Sequence, residues 1–121
     1  MKTANTRKMP ISHVHHTQTD EQRRADFDDL VRRAAGGDRC AVAAIAIAIG
    51  PTLLEQARAC LGEFDQDAGE VLQDFFLCLI ERRLLFTPAH GRATPWMCGV
   101  VQAIAQQRRR ERERDWAMDD G

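Results

Sequence analysis

No sign of charge dominates the sequence: 17 basic and 18 acidic side chains leave a formal net charge of −1. A histone-like protein coated in positive charge is therefore excluded, although a total does not report how charge is arranged. The four cysteines, Cys40, Cys60, Cys78 and Cys98, form no CxxC pair, and their spacing matches no structural zinc template. The longest apolar run, Cys40 to Gly50, falls short of the ~20 residues that a membrane span needs. Residues 1–26 contain no apolar h-region, so a secretion signal is not expected. Gly-rich phosphate loops, nucleophile elbows and paired acid–base constellations are missing too, which removes the enzyme classes those motifs announce. The expectation is a reduced, soluble, cytoplasmic protein without enzymatic activity or cofactor.

What is present is helical. The 121 residues, 44% of them hydrophobic, suit one domain. Residues 1–24 are polar and read as a flexible arm carrying Lys2, Arg7, Lys8 and the His13, His15, His16 cluster. Phe27, Leu30, Val31 and Ala34 then mark one stripe of a short helix that Gly36-Gly37 stops. Asp38 suits the N-cap of a second helix, interrupted at Gly50-Pro51 and continued by Leu53, Leu54, Ala57 and Leu61 up to Gly62. Its A-I-A-I-A-I stretch, Ala44 to Ile49, also has the period of a strand. Alanine favours helix over strand, and both flanks are helical. A third helix opens at Asp65 or Asp67, carries Ala68, Val71, Leu72, Phe75 and Leu79, and closes at Arg82-Arg83. Leu84 to Ala93 form a loop. Thr94-Pro95 open a fourth helix whose apolar stripe, through Trp96, Met97, Val100, Val101 and Ile104, gives way to an Arg/Glu run ending at Arg114. The acidic tail, 115–121, is expected to fray. The fold class is all-α, a small bundle of about four helices, with the domain spanning 25–114.

Charge by segment is more informative than its total. Residues 61–86 are net −4 and residues 87–114 net +4, with arginine at every basic position from 82 onward. Arginine suits bidentate recognition of phosphate or carboxylate. The charge map thus predicts an acidic third helix for a protein partner beside a basic fourth helix for nucleic acid. Plain solvation and dipole compensation is the competing reading.

From Asp28 to Arg114 the order of features resembles region 2 of sigma-70 family RNA polymerase sigma factors, most closely the compact extracytoplasmic-function type. D-L-V-R-R-A-A-G-G-D, Asp29 to Asp38, is similar to the start of region 2.1. Gly50-Pro51-Thr52-Leu53-Leu54 and Cys60-Leu61-Gly62 fall where that group has its mid-helix proline and its "LLG" ending. D-A-G-E-V-L-Q-D-F-F-L, Asp67 to Leu77, resembles the "DAEDVVQEVFL" of region 2.2. Phe86 to Gly91 followed by Trp96-Met97 tracks "FDPERG…WL" of region 2.3. The Arg-rich end of the fourth helix sits where region 2.4 ends.

The resemblance implies a transcription module. Its third helix would dock on the clamp helices of the polymerase largest subunit through Glu70, Gln73, Asp74 and Leu77. Its loop and fourth helix would contact or melt the promoter −10 element through His90, Arg92, Gln102, Gln106, Arg108 and Arg109, while Trp96 anchors the core. Nothing in the sequence resembles region 4, so a separate region 4-like partner for the −35 element is expected, and an anti-sigma factor is a further candidate. The chain departs from the pattern at Ala103, Gln107 and Gln102, where the family usually carries asparagine, aspartate and arginine. It departs again at Ile45, Ile47 and Ile49, which predict a self-association or partner surface and a possible homodimer. The alternative function is a protein–protein regulator on the same fold that does not read DNA. A metal sensor built on His13, His15, His16, His90 and the cysteines is the weaker rival, because isolated cysteines are usually small buried hydrophobes; no metal site is expected.

Overall fold

Helix formation begins at Thr19, whose Oγ1 accepts the Gln22 N–H at 3.0 Å. In the computed structural model, which describes residues 19–120, α1 spans Asp20–Ala35, with Asp20 and Glu21 at its positive end and Arg32 and Arg33 at its negative end. Residues 20–24, expected in the arm, are therefore helical. No apolar stripe announces them: the cap, the Asp20–Arg23 ion pair and the Gln22–Asp26 hydrogen bond hold this exposed turn. Residues 1–18, with the histidine cluster, lie outside the described residues.

Gly36 and Gly37 close α1, the second at φ +96°, a left-handed position open to glycine at little cost. The chain re-enters helix at Asp38, whose carboxylate accepts the Ala41 N–H at 3.1 Å. Helix α2, Arg39–Leu61, runs on through Pro51. Glycine at position 50 makes this possible, because it has no Cβ to clash with the following proline ring in helical conformation. Ile45, Ile49, Leu53, Ala57 and Leu61, four residues apart, form the buried stripe. Helices α1, α3 and α4 all pack on α2, so the most apolar helix is the central one.

Gly62, at φ +61°, ends α2. A 3₁₀ segment, Gly62–Asp67, leads into α3, Ala68–Ile80. Asp67 thus opens α3 from a helical backbone conformation, and its side chain does not cap it. Arg82, at φ +60°, turns the chain away after α3. A short 3₁₀ turn, Pro88–His90, precedes α4, Ala93–Asp120. Residues 115–120 of the expected frayed tail are helical, and Trp116 packs edge-on against Phe64, ring centroids 5.7 Å apart. Among the described residues there is no strand, and A-I-A-I-A-I lies wholly in α2.

Two expectations about burial change. Cys40 is exposed and the other three cysteines are half-buried; all four are free. The isoleucine trio splits, because a period of two wraps around a helix: Ile45 is 0% and Ile47 83% exposed, while Ile49 joins the core. Averaged over 18 residues, the run Arg39–Ile80 reaches a mean hydropathy of 1.6, enough by length and composition alone to cross a membrane. The apolar run Cys40–Gly50 is extended here past Pro51-Thr52 by Leu53-Leu54.

Phe75, fully buried, carries the core where α3 meets its neighbours; Phe75→Ala is expected to cost ~3–5 kcal/mol in chemical denaturation. Gly99 stands exposed inside α4 with nothing within 4 Å of an added Cβ. Gly99→Ala is expected to stabilise by ~0.5–1 kcal/mol, read as a melting temperature higher by roughly 2–8 °C.

Candidate functional site

Burial of Ala68, Val71, Phe75 and Leu79 sets the phase of α3 and turns Glu70, Gln73, Asp74 and Leu77 outward. At i, i+3, i+4 and i+7 these four share one helix face. Leu77, 42% exposed, is the apolar member of an otherwise polar row.

The loop before α4 is built on aromatic packing. Phe86 is buried, with Trp96 at 5.0 Å and the His90 ring stacked on it at 6.3 Å. The Thr87 N–H donates to His90 Nδ1 at 3.2 Å, which holds the exposed imidazole over Phe86. Arg92 is turned back onto α1: it donates to Glu21 at 2.8 Å and lies 2.9 Å from Asp28. The other Asp28 oxygen accepts the Ala93 N–H at 2.9 Å. Asp28 therefore caps α4 from another helix, a job that Thr94 was expected to do locally. The Arg92 hydrogen bond, and then its charge, hold the Glu21 carboxyl below the usual carboxylate range. Any stabilisation from this pair is thus present at neutral pH and fades as pH falls through that lowered value. Asp28, Asp29, Arg32, Phe86 and Arg92 line a cleft of about 420 Å³ between α1 and the loop.

The Arg-rich end of α4 is tied down. Asp67, 8% exposed, is the one buried charged side chain among the described residues. One of its oxygens lies 3.3 Å from Nε of both Arg108 and Arg112. Arg108 also pairs with Glu70. Arg109 donates to the Cys60 carbonyl at 3.4 Å, near the C-terminus of α2, and to Glu113 at 3.3 Å. Arg112 further stacks its guanidinium 5.5 Å over the Phe64 ring. The expected division into an acidic face and a basic face is corrected here: Glu70 and Arg108 meet across the α3–α4 interface and neutralise each other.

The residues expected to touch DNA do not form one exposed set. Gln106 and His90 are exposed, Gln102 is half-buried, and Arg92, Arg108 and Arg109 hold intramolecular partners. Arg110 and Arg114, one turn apart, are exposed and outside the ion pairs of the described residues. Arg110 donates only to Gln107, at 2.8 Å. In sequence Asp67 reads only as an opener of α3, and Arg110, Arg112 and Arg114 only as members of the Arg/Glu run. A run of arginines carries no mark of which members a distant carboxylate will take. Among the described residues, no group of three or more His, Cys, Asp or Glu side chains is placed to hold a metal ion.

Neither a family model, nor a curated protein, nor a solved structure matches the chain.

Because Arg108 and Arg112 share Asp67, each single change leaves the carboxylate one partner. Arg108→Ala or Arg112→Ala alone is expected to cost ~1 kcal/mol, and the pair together ~3 kcal/mol, more than the sum. Urea denaturation of the two single variants and the double variant measures the difference.

Proposed function

We propose that the protein is a sigma region 2-like transcription module that docks on RNA polymerase core through α3. The observation that carries this reading is the outward row Glu70, Gln73, Asp74 and Leu77. Carboxylates and an amide around one exposed leucine suit a partner helix that carries arginines, through charge-assisted bonds at a polar rim. The clamp helices of the polymerase largest subunit are that partner in the resemblance. A cytoplasmic location goes with this reading.

Contact with −10 promoter DNA belongs to the same proposal and falls to the loop and α4. There the free cations are Arg110 and Arg114, with Gln106 one turn before them on α4, while the exposed His90 lies before the other end of that helix. Recognition of a −35 element is left to a separate region 4-like chain, and an anti-sigma factor is a candidate competitor for the α3 row. One observation favours a second reading, a protein–protein regulator that does not read DNA: Arg92, Arg108 and Arg109 are already engaged within the chain.

Pull-down with bacterial RNA polymerase core tests the docking. Asp74→Arg is expected to abolish capture, and retained capture overturns the assignment. Salt titration of single-stranded −10 DNA binding tests the second half. Arg110→Ala with Arg114→Ala is expected to make the slope of log K against log salt shallower by about 1.4, about 0.7 per phosphate contact. Binding with an unchanged slope removes these two residues from the DNA face, and no binding at all favours the regulator.

A further inference from the structure

Between α3 and α4 runs an open groove of about 360 Å³ lined by Asp74, Ala103, Ile104, Gln107, Arg108 and Glu111. The helices are antiparallel: Asp67 meets Arg112 and Glu70 meets Arg108, and the groove sets Asp74 level with Ile104 and Gln107. The same register carries the exposed Leu77 level with Val100.

The charge in this groove is one-sided. Arg108, its only cation, is already matched by Asp67 and Glu70. Asp74 stands outside every ion pair of the described residues, and Glu111 accepts only the Gln107 amide, at 3.3 Å. Neither carboxylate forms an ion pair among the described residues, although Arg83 is near enough to feel the charge of Asp74, and the two flank a floor of Ala103 and Ile104. Ala103 and Gln107 are also two of the positions where the sequence leaves the sigma pattern. A phosphate backbone placed here would face the Asp74 and Glu111 carboxylates, whereas cationic side chains about two turns apart would each meet one.

We infer that this groove seats an amphipathic helix of a protein partner that bears arginine or lysine, with cationic side chains meeting Asp74 and Glu111 and an apolar side chain on Ala103 and Ile104. The inference rests on the docking reading above and deepens it: the partner lies across α3 and α4, and the part of α4 that faces the groove binds protein. Charge complementarity selects this occupant over nucleic acid. Small side chains at the floor let a helix approach closely, and Leu77 extends the apolar contact.

The test uses the full chain and a fluorescein-labelled helical peptide with leucine and arginine at alternating three- and four-residue spacing, read by anisotropy. A counterpart with glutamate for arginine is the control. The arginine peptide is expected to bind and the glutamate peptide not to bind. Glu111→Arg and Ala103→Lys are each expected to weaken binding about tenfold or more. Both positions are solvent-exposed, and unchanged circular dichroism and melting confirm that the variants fold. Failure of the arginine peptide to bind overturns the inference. So does full binding to Glu111→Arg when Asp74→Arg has lost it, a result that confines docking to α3 and leaves the polymerase reading standing. Displacement of the peptide by single-stranded DNA, with DNA binding strengthened by Glu111→Arg, assigns the groove to nucleic acid and also overturns the inference. Absence of polymerase capture by the unaltered chain, with peptide binding intact, fails the docking reading alone.

Discussion

One buried carboxylate organises the end of the molecule where three helices meet. Asp67 sits at the junction of the 3₁₀ segment and α3, and two arginines one turn apart on α4 converge on it. A charge at that depth is tolerated only when paired, so the register of α4 against α3 is tied to it. Much else at this end follows from that register. Arg109 reaches the last carbonyls of α2, Arg112 covers Phe64, and Trp116 closes on the same ring. At the other end Asp28 does the matching work, because it caps α4 and holds Arg92 against α1. Helix α4 is thus held at both ends by acids from other elements.

These clasps change what the charge pattern means. In sequence, the basic end of the fourth helix reads as a surface for phosphate. In the structure three of the five arginines at that end, Arg108, Arg109 and Arg112, are engaged within the fold; Asp74 and Glu111 border the α3–α4 groove outside any ion pair, and Arg110 and Arg114 stand on the exposed side of α4. A patch with an apolar floor and acidic rims is shaped for protein. The arginine patch is the part of α4 still able to meet a polyanion.

The helices themselves were largely legible. Periodic apolar residues located the cores of α1, α2, α3 and α4, and Asp38 was readable as a cap because its partner lies three residues away. Boundaries were less so. Residues 20–24 bury little, and their helicity rests on Thr19 and local ion pairs, which apolar periodicity does not register. Residues 115–120 are helical, and Trp116 among them meets Phe64, some fifty positions back in the chain. Of the site, the residues of the α3 row came from the resemblance, and their sharing one exposed face follows from the phase of α3. The fate of each arginine was not legible, because it depends on carboxylates brought close only by folding.

By itself the sequence determined the helical class and the buried stripes of the individual helices. Each is a consequence of spacing within a single helix, and 3.6 residues per turn convert spacing directly into faces. Tertiary structure alone decided which charges pair, which isoleucine stays in solvent and where the open groove lies. Those outcomes depend on the distance between elements far apart in the chain. Asp67 and Arg108 are 41 positions apart in sequence and 3.3 Å apart in the fold, a relation that no local pattern encodes.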